Sequence, residues 1–454
     1  NRGSGARRIM GTAILSILSG HWRYAHINAV RGDGINPGLL GMSGTVSEDA
    51  VRLGIGRIDE KQGLQWLSDH LLESISPALG LPWILDIDTT VKPLYGHQQG
   101  SVIGYNPQKP GRPSHVYHSY FVAHLRISLG VEVMPGNQHA AAVGLPGLWQ
   151  ILDRLPRHQW PAFSRGDCAY GNETTMLEHE ERGLPYLFKV RHTARVKDLV
   201  IRMMREGAKW KECGDGWEAL EATLRLGGWS RERRVILVRE KPASAPVREP
   251  GRSRRGKDRQ SRLPNACGGG WDARATPWSG KIAVLITSLD RDTYPATAMP
   301  RHYRERADAE NCFDELKNQW GWSGYTSRRL GSSRIMANLI ALVYNWWSLY
   351  LRFYDGEHHR EAIRSRPMLM SGVGRQVRSG GQRRVRVSIL HEKGDVIARA
   401  VTLISNELQR IGRITERWSD EQRWTLLLTR LLRRRLGGKW LPGFPAEAAH
   451  LLSG

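Results

Sequence analysis

Between residues 303 and 317 the chain sets a phenol, a guanidinium, a carboxylate and an ammonium on one side of a predicted helix. They are Tyr303, Arg306, Glu310 and Lys317, within RHYRERADAENCFDELKNQW. At about 100° per residue, Tyr303, Arg306 and Lys317 fall within roughly 40° of Glu310. Ala309, Phe313, Leu316 and Trp320 form a neighbouring apolar stripe that can anchor the helix to a core. An acid flanked by two cations and a phenol suits a metal-binding carboxylate that works beside phosphates. On an ordinary solvated face the same residues would give only an Arg306–Glu310 pair, one turn apart. Asp314 is the nearest alternative ligand on that face, whereas Glu305, Asp308 and Glu315 project to the other side.

Two further acids lie in or after predicted strands. Asp88 sits in the apolar run Leu81–Val91, within DIDTT, and Asp167 follows the run Trp160–Arg165, within RGDCAYGN. Carboxylates from separate elements are what two divalent cations need when they clamp a phosphodiester. Asp86 and Asp88 point to the same face of their strand, about 7 Å apart, so periodicity does not choose between them. Two acids inside an apolar strand are costly to bury unless a cation compensates. Strands with acids at their ends, followed by a helix carrying a third, predict an α/β, ribonuclease-H-like catalytic core.

The elements that must position these acids divide the chain of 454 residues. Residues 1–75 read as a helical region, with apolar positions at helical spacing in Ala13–Ala25 and Val46–Leu79. Residues 76–190 supply the first part of the core, including the strands Ser119–Arg126, Ser128–Val133 and Leu184–Val190 and a helix at Gly147–Leu155. Residues 191–280 change to short alternating runs such as Ala219–Leu226 and Arg234–Arg239, read as an inserted β-rich domain. Within it Lys241–Gly280, rich in Pro, Gly and Arg, reads as a mobile loop. Residues 281–355 complete the core with the strand Lys281–Leu289 and the helix of Tyr303, which Pro300 opens and Gly321 ends. Residues 356–454 form a basic, helical C-terminal region. It includes Arg375–Arg386, Arg430–Arg435 and a last helix opened by the capping box Ser419–Gln422.

Composition narrows the partners. A formal net charge of +23 and a pI of about 10.3 favour a polyanion, because Lys and Arg displace counterions condensed on nucleic acid. The 17 Trp include rings able to stack on bases. Cys168, Cys213, Cys267 and Cys312 lie far apart with no CxxC pair, so neither a zinc site nor a disulfide framework follows, and a reducing cytosol fits best. Ile335–Phe353 is long enough for a membrane span, but Asn338, Asn345 and Arg352 interrupt it, so a buried core helix is expected. The chain begins with Asn rather than Met, which points to an N-terminus lying further upstream, or to a fragmentary copy.

Tyr303, Arg306, Glu310 and Lys317 match, in identity and spacing, the Tyr-Arg-Glu-Lys signature of a group of bacterial insertion-sequence DDE transposases. YRERADAENCFDELKNQWGW resembles the insertion-sequence family numbered thirteen-eighty, as do LDIDTTVKPLYGHQQGSVIGYNP and VEVMPGNQHA. The resemblance covers roughly residues 40–440. In that group the first acid precedes Thr-Thr, which selects Asp88 over Asp86. It further implies that Asp88, Asp167 and Glu310 bind two Mg²⁺ or Mn²⁺ ions, and that Tyr303, Arg306 and Lys317 hold phosphates near the transposon end. A Trp from the inserted β domain would stack on a flipped base, with Trp210, Trp217 and Trp229 all open candidates. The resemblance implies cut-and-paste DNA transposition by a homodimer acting on terminal inverted repeats and target DNA in the bacterial cytoplasm. The low-complexity loop Gly251–Gly270 has no assigned counterpart. Cys168 is a soft thiol unsuited to Mg²⁺ and is read as packing. The competing readings are a catalytically silent, end-binding protein and a structure-selective nuclease.

Overall fold

The computed structural model describes residues 5–106, 109–138, 140–241, 281–355, 359–370, 374–388, 393–414 and 418–444. The loops predicted over Lys241–Gly280 and Gly251–Gly270 lie almost wholly outside them. The chain opens with the helices α1 (Ala6–Leu18), α2 (Asn36–Leu39), α3 (Glu48–Arg57) and α4 (Glu60–Glu73). The side chains of Ser47 and Asp59 accept from Ala50 N and Gln62 N. These two caps break the long stretch predicted over Val46–Leu79 into separate helices.

The next stretch alternates strands and helices. It comprises β1 (Ile84–Pro93), β2 (Val102–Ile103), β3 (Pro113–Val122), β4 (Ile127–Pro135), α5 (Ala140–Leu152), β5 (Phe163–Gly166), α6 (Glu173–Glu181), β6 (Tyr186–Lys189) and α7 (Ala194–Arg205). Strands β7 (Lys211–Glu212), β8 (Trp217–Leu224), β9 (Arg233–Glu240) and β10 (Ile282–Thr287) follow, then α8 (Met299–Arg304), α9 (Ala307–Asn318) and α10 (Leu330–Tyr354). The C-terminal part holds α11 (Ala362–Met370), the hairpin β11 (Gly374–Ser379) and β12 (Gln382–Val387), α12 (Gly394–Ile414) and α13 (Asp420–Leu432). The basic segment Arg375–Arg386, placed in a helical region by its sequence, is thus largely a β-hairpin turning at Gly380 and Gly381. Both glycines have positive φ, a conformation that favours residues without a Cβ.

One mixed sheet of ten strands organises the molecule. Its order is β3-β1-β5-β6-β10-β9-β8-β7, with β4 and the short β2 sharing the outer edge of β3. Strands β1, β5 and β6 are parallel; β3, β4, β10, β9 and β8 each run antiparallel to the neighbour before them. The β-rich stretch after α7 therefore continues the same sheet through the β10–β9 pairing. One face, carrying Leu85 and Ile87 of β1, packs on Leu148 of α5, Met176 of α6, Val200 of α7 and Leu428 of α13. On the opposite face, Tyr117 and Phe121 of β3 meet Phe313 and Leu316 of α9 and the apolar residues of α10. Side-chain alternation turns Asp86 and Asp88 away from the Leu85 face.

Helix α10 explains its own polar interruptions. Asn338 exchanges hydrogen bonds with Val131 N (3.3 Å) and O (2.9 Å), and Asn345 with Ser128 N (2.8 Å) and O (2.7 Å). The two amides satisfy backbone groups of β4, which would otherwise stand unpaired beneath a buried helix. Among the described residues no helix is long and apolar enough to cross a membrane.

Candidate active site

Asp88 sits mid-strand in β1 and takes its hydrogen bonds from two directions. Thr89 N donates to Oδ1 (2.7 Å), and the buried Arg306 donates from Nη1 to Oδ2 (2.5 Å). Arg306 also donates from Nη2 to Glu310 Oε1 (3.2 Å), so its guanidinium bridges an acid of the sheet and an acid of α9. Asp167 lies in the turn after β5, where its Oδ1 accepts from Ala169 N (2.8 Å). Burial, then the charge of Asp88, raises its pKa despite the opposing pull of Arg306. Glu310 is half-exposed. Burial raises its pKa too, with Arg306 opposing and Asp88 and Asp167 adding to the shift.

The helix expected around these residues is divided. Helix α8 stops at Arg304, and bonds from Arg306 N to Tyr303 O (3.1 Å) and from Ala309 N to Arg306 O (2.9 Å) tighten the chain before α9 begins. Three-residue bonding of this kind rotates successive side chains differently from an α-helix, and Arg306 at the break reaches Asp88 across to the sheet. Tyr303, in α8, packs on Met299 and Leu285. Its hydroxyl is pushed up to about 12, by burial first and then by Asp167 and Asp88 against the opposing Arg306. Lys317 donates to Thr90 Oγ1 (3.0 Å), two residues beyond Asp88 on β1, and burial lowers its pKa.

The neighbouring acids are otherwise engaged. Asp86 is sealed with Arg165, whose Nε and Nη2 meet Oδ1 (2.7 Å) and Oδ2 (2.6 Å), both side chains being buried. Asp308 pairs with Arg126 (3.1 Å). Glu315 is buried under His359 (2.7 Å). Asp314 is exposed and takes a bond from Asn318 (2.7 Å). Lys189, at the end of β6, is a site residue that sequence reasoning does not single out. Burial and Arg306 lower its pKa, and Asp167 and Glu310 oppose the shift. Its only signal is a lysine closing the apolar run LPYLFKV, a position that ordinary strand ends share.

The three tryptophans separate. Trp210 lies under Arg239 (4.0 Å to the ring centre) and Trp217 near Arg304 (5.7 Å), both partly buried. Trp229 is buried near Arg233 (5.6 Å). Of the three, only Trp229 lines the cleft of about 750 Å³ that opens beside the Asp167 turn, with Cys168, Asn172 and Arg191.

Among the described residues no three His, Cys, Asp or Glu side chains are grouped tightly enough to hold a metal ion as they stand. The donor chemistry nevertheless fits a hard divalent cation: carboxylate oxygens from β1, the β5 turn and α9, two of them with pKa values raised by burial and like charge.

No curated protein matches the chain. Among solved structures it is similar to a piggyBac transposase in a synaptic complex with hairpin DNA, at 11% identity and a TM-score of 0.38, covering 99% of this chain and 75% of that one. Residues 79–346, more than half of the chain and including Asp88, Asp167 and Glu310, match the transposase DDE domain, and the chain belongs to that family.

Proposed function

We propose that the protein is a cut-and-paste transposase of the Tyr-Arg-Glu-Lys group, closest to the insertion-sequence family numbered thirteen-eighty. It would hydrolyse phosphodiesters at the ends of its element and join the freed 3′-hydroxyls to target DNA. The observation that carries this is the meeting of Asp88, Asp167 and Glu310 around Arg306 within a DDE domain. The order β4-β3-β1-β5-β6, with β1, β5 and β6 parallel, supports a ribonuclease-H-like core, and β7–β9 would be its β-rich insertion.

Asp88, Asp167 and Glu310 are the residues that would hold two Mg²⁺ or Mn²⁺ ions. Such ions supply an activated oxygen nucleophile and charge at the leaving oxygen. Arg306 is the natural grip on a phosphate, since its planar fork matches two oxygens at once. Lys317, held on Thr90, adds a point charge along the same strand. Tyr303, like any phenol, keeps its proton at neutral pH, the more so as burial raises its pKa, and would donate to a phosphate oxygen. Trp229 lines the cleft beside the Asp167 turn but its ring is buried, so the base-stacking role stays open among Trp210, Trp217 and Trp229. Two ends must be brought together, so the working form would be a homodimer on terminal inverted repeats.

The test is cleavage of a labelled duplex carrying the element's own end, with Mg²⁺, Mn²⁺ or chelator. Metal-dependent cutting at the boundary is expected. Tight binding without cutting under any metal would identify a catalytically silent end-binding protein, and cutting confined to branched DNA would identify a nuclease.

A further inference from the structure

A second surface, outside the three acids, has the chemistry of a nucleic-acid contact. Between β1 and β3 the described residues 94–106 and 109–112 form an excursion that includes β2. Tyr95, Ile103 and Tyr105 are 67%, 63% and 71% exposed, and Val102 beside Ile103 is also exposed. Two cations flank the first ring. Lys109 Nζ lies 5.1 Å and the Arg112 guanidinium 4.8 Å from the Tyr95 ring centre, and Lys109 also donates to the Tyr95 hydroxyl. Residues 91–113 contain no Asp or Glu. Exposed apolar and aromatic groups gathered in one place mark an interaction site, and their mixture with unopposed cations selects an anionic, ring-bearing partner.

The excursion is anchored at its base. His115 Nε2 meets Gln99 O (2.9 Å), Gln99 N donates to Arg328 O (2.8 Å), and Leu330 N donates to Gln99 Oε1 (3.2 Å). A Cβ on Gly104 would lie 1.8 Å from Gly136 O, so the two backbones touch there and no other residue fits. Asn106, itself buried, accepts from Lys109 N (3.0 Å), which ties Lys109 to the base of the excursion. The rings and cations are thus held outward on a fixed base, with little left to order on binding.

We propose that Tyr95, Lys109 and Arg112, with Tyr105 and Ile103 beside them, form a second DNA-binding platform that grips the duplex away from the scissile phosphate. This rests on the transposase reading and adds a contact surface to it. Strand β1 acts as the ruler. Tyr95 lies seven residues beyond Asp88, at most about 23 Å along an extended strand. That is about seven base pairs of B-form duplex at roughly 3.4 Å each. The chain between them passes Thr90, where Lys317 is held.

The test uses the full chain in chelator, so that binding is read without cleavage. Fluorescence anisotropy with a labelled duplex carrying the element's end gives the affinity across a salt series. Compared with wild type, Lys109→Ala/Arg112→Ala should reduce the slope of log affinity against log salt by about 1.8, near 0.9 for each phosphate no longer neutralised. Tyr95→Ala should weaken binding several-fold with little change in slope. On duplexes trimmed to fewer than about seven base pairs on either side of the cleavage position, wild type and variants should bind alike. All three side chains are exposed, and matching melting curves would show that the fold is kept. Equal slopes for wild type and the double variant on the long duplex would overturn the platform. So would a double variant that binds DNA normally but sediments as a smaller species, which would make the surface a contact between copies. If wild type binds no DNA at all, the transposase reading itself fails, a result distinct from both.

Discussion

Arg306, reaching the sheet from the α8–α9 break, and Arg233, in β9, each draw acids around them, and the outcomes are opposite. At Arg233 the cluster is closed: its Nη1 reaches Glu173 (2.6 Å) and its Nε reaches Glu180 (2.9 Å). Ser230 and Tyr186 add donors to the same carboxylates. Burial opposes their charge, but these bonds win, and both Glu173 and Glu180 have lowered pKa values. At Arg306 one guanidinium faces Asp88, Asp167 and Glu310, and both Asp167 and Glu310 have raised pKa values. The first cluster is balanced and ties α6 to β9. The second holds more acid than its cation offsets, which is what a site destined for further cations and phosphates requires.

This contrast can be broken by substitution. Arg233→Ala leaves two half-buried carboxylates with only Ser230, Arg231 and Tyr186 as partners and should cost about 1.5–3 kcal/mol of stability, read by denaturant unfolding. A loss under about 1 kcal/mol, the scale of an exposed pair, would mean that the cluster is not the clamp described. The packing beneath it gives a pH handle. His179 is fully buried, its Nδ1 bonded to Thr175 O (2.7 Å), and burial lowers its pKa to about 4. The unfolded imidazole takes its proton near 6.5 and the folded one only near 4. Stability from this group is therefore complete at neutral pH and falls as pH drops through that window, by about 3 kcal/mol in all. His179→Gln should remove that part of the acid-side slope; an unchanged slope would contradict the burial argument. The smallest effect is also the sharpest contrast. Asp167→Asn keeps the acceptor for Ala169 N and removes a like charge from Asp88, so it should raise stability by about 0.5–2 kcal/mol while abolishing cleavage. Destabilisation by this substitution would show that the acids are already balanced.

Much of this site is legible in the sequence, because period-two and period-3.6 patterns carry side-chain direction. They put Asp86 and Asp88 on one face and the stripe of Ala309, Phe313 and Leu316 against a core, as the structure has them. What patterns lack is the partner across space. Strand periodicity does not distinguish Asp86, sealed by Arg165, from Asp88, held by Arg306; that difference is made by residues 79 and 218 positions away. The break between α8 and α9 has no local mark, because RHYRERADAEN contains no glycine and no internal proline. Lys189 escapes for the same reason as Arg165: a cation at a strand end has no signature until the sheet brings acids to it. The alternating runs Ala219–Leu226 and Arg234–Arg239 are legible as strands, but helix α7 in the same predicted region is not, and the continuity of β8 and β9 with the core sheet depends on the β10–β9 register, which no local run encodes.

The most direct test sets one acid from each cluster side by side. Wild type, Glu310→Gln and Glu173→Gln would be assayed for cleavage of the labelled end duplex in Mn²⁺, with binding of the same duplex measured in chelator. The account predicts that Glu310→Gln loses at least about 10³-fold in cleavage, roughly 4 kcal/mol of barrier, and still binds the end, while Glu173→Gln cuts like wild type. Normal cutting by Glu310→Gln would contradict the assignment of this centre as the catalytic one.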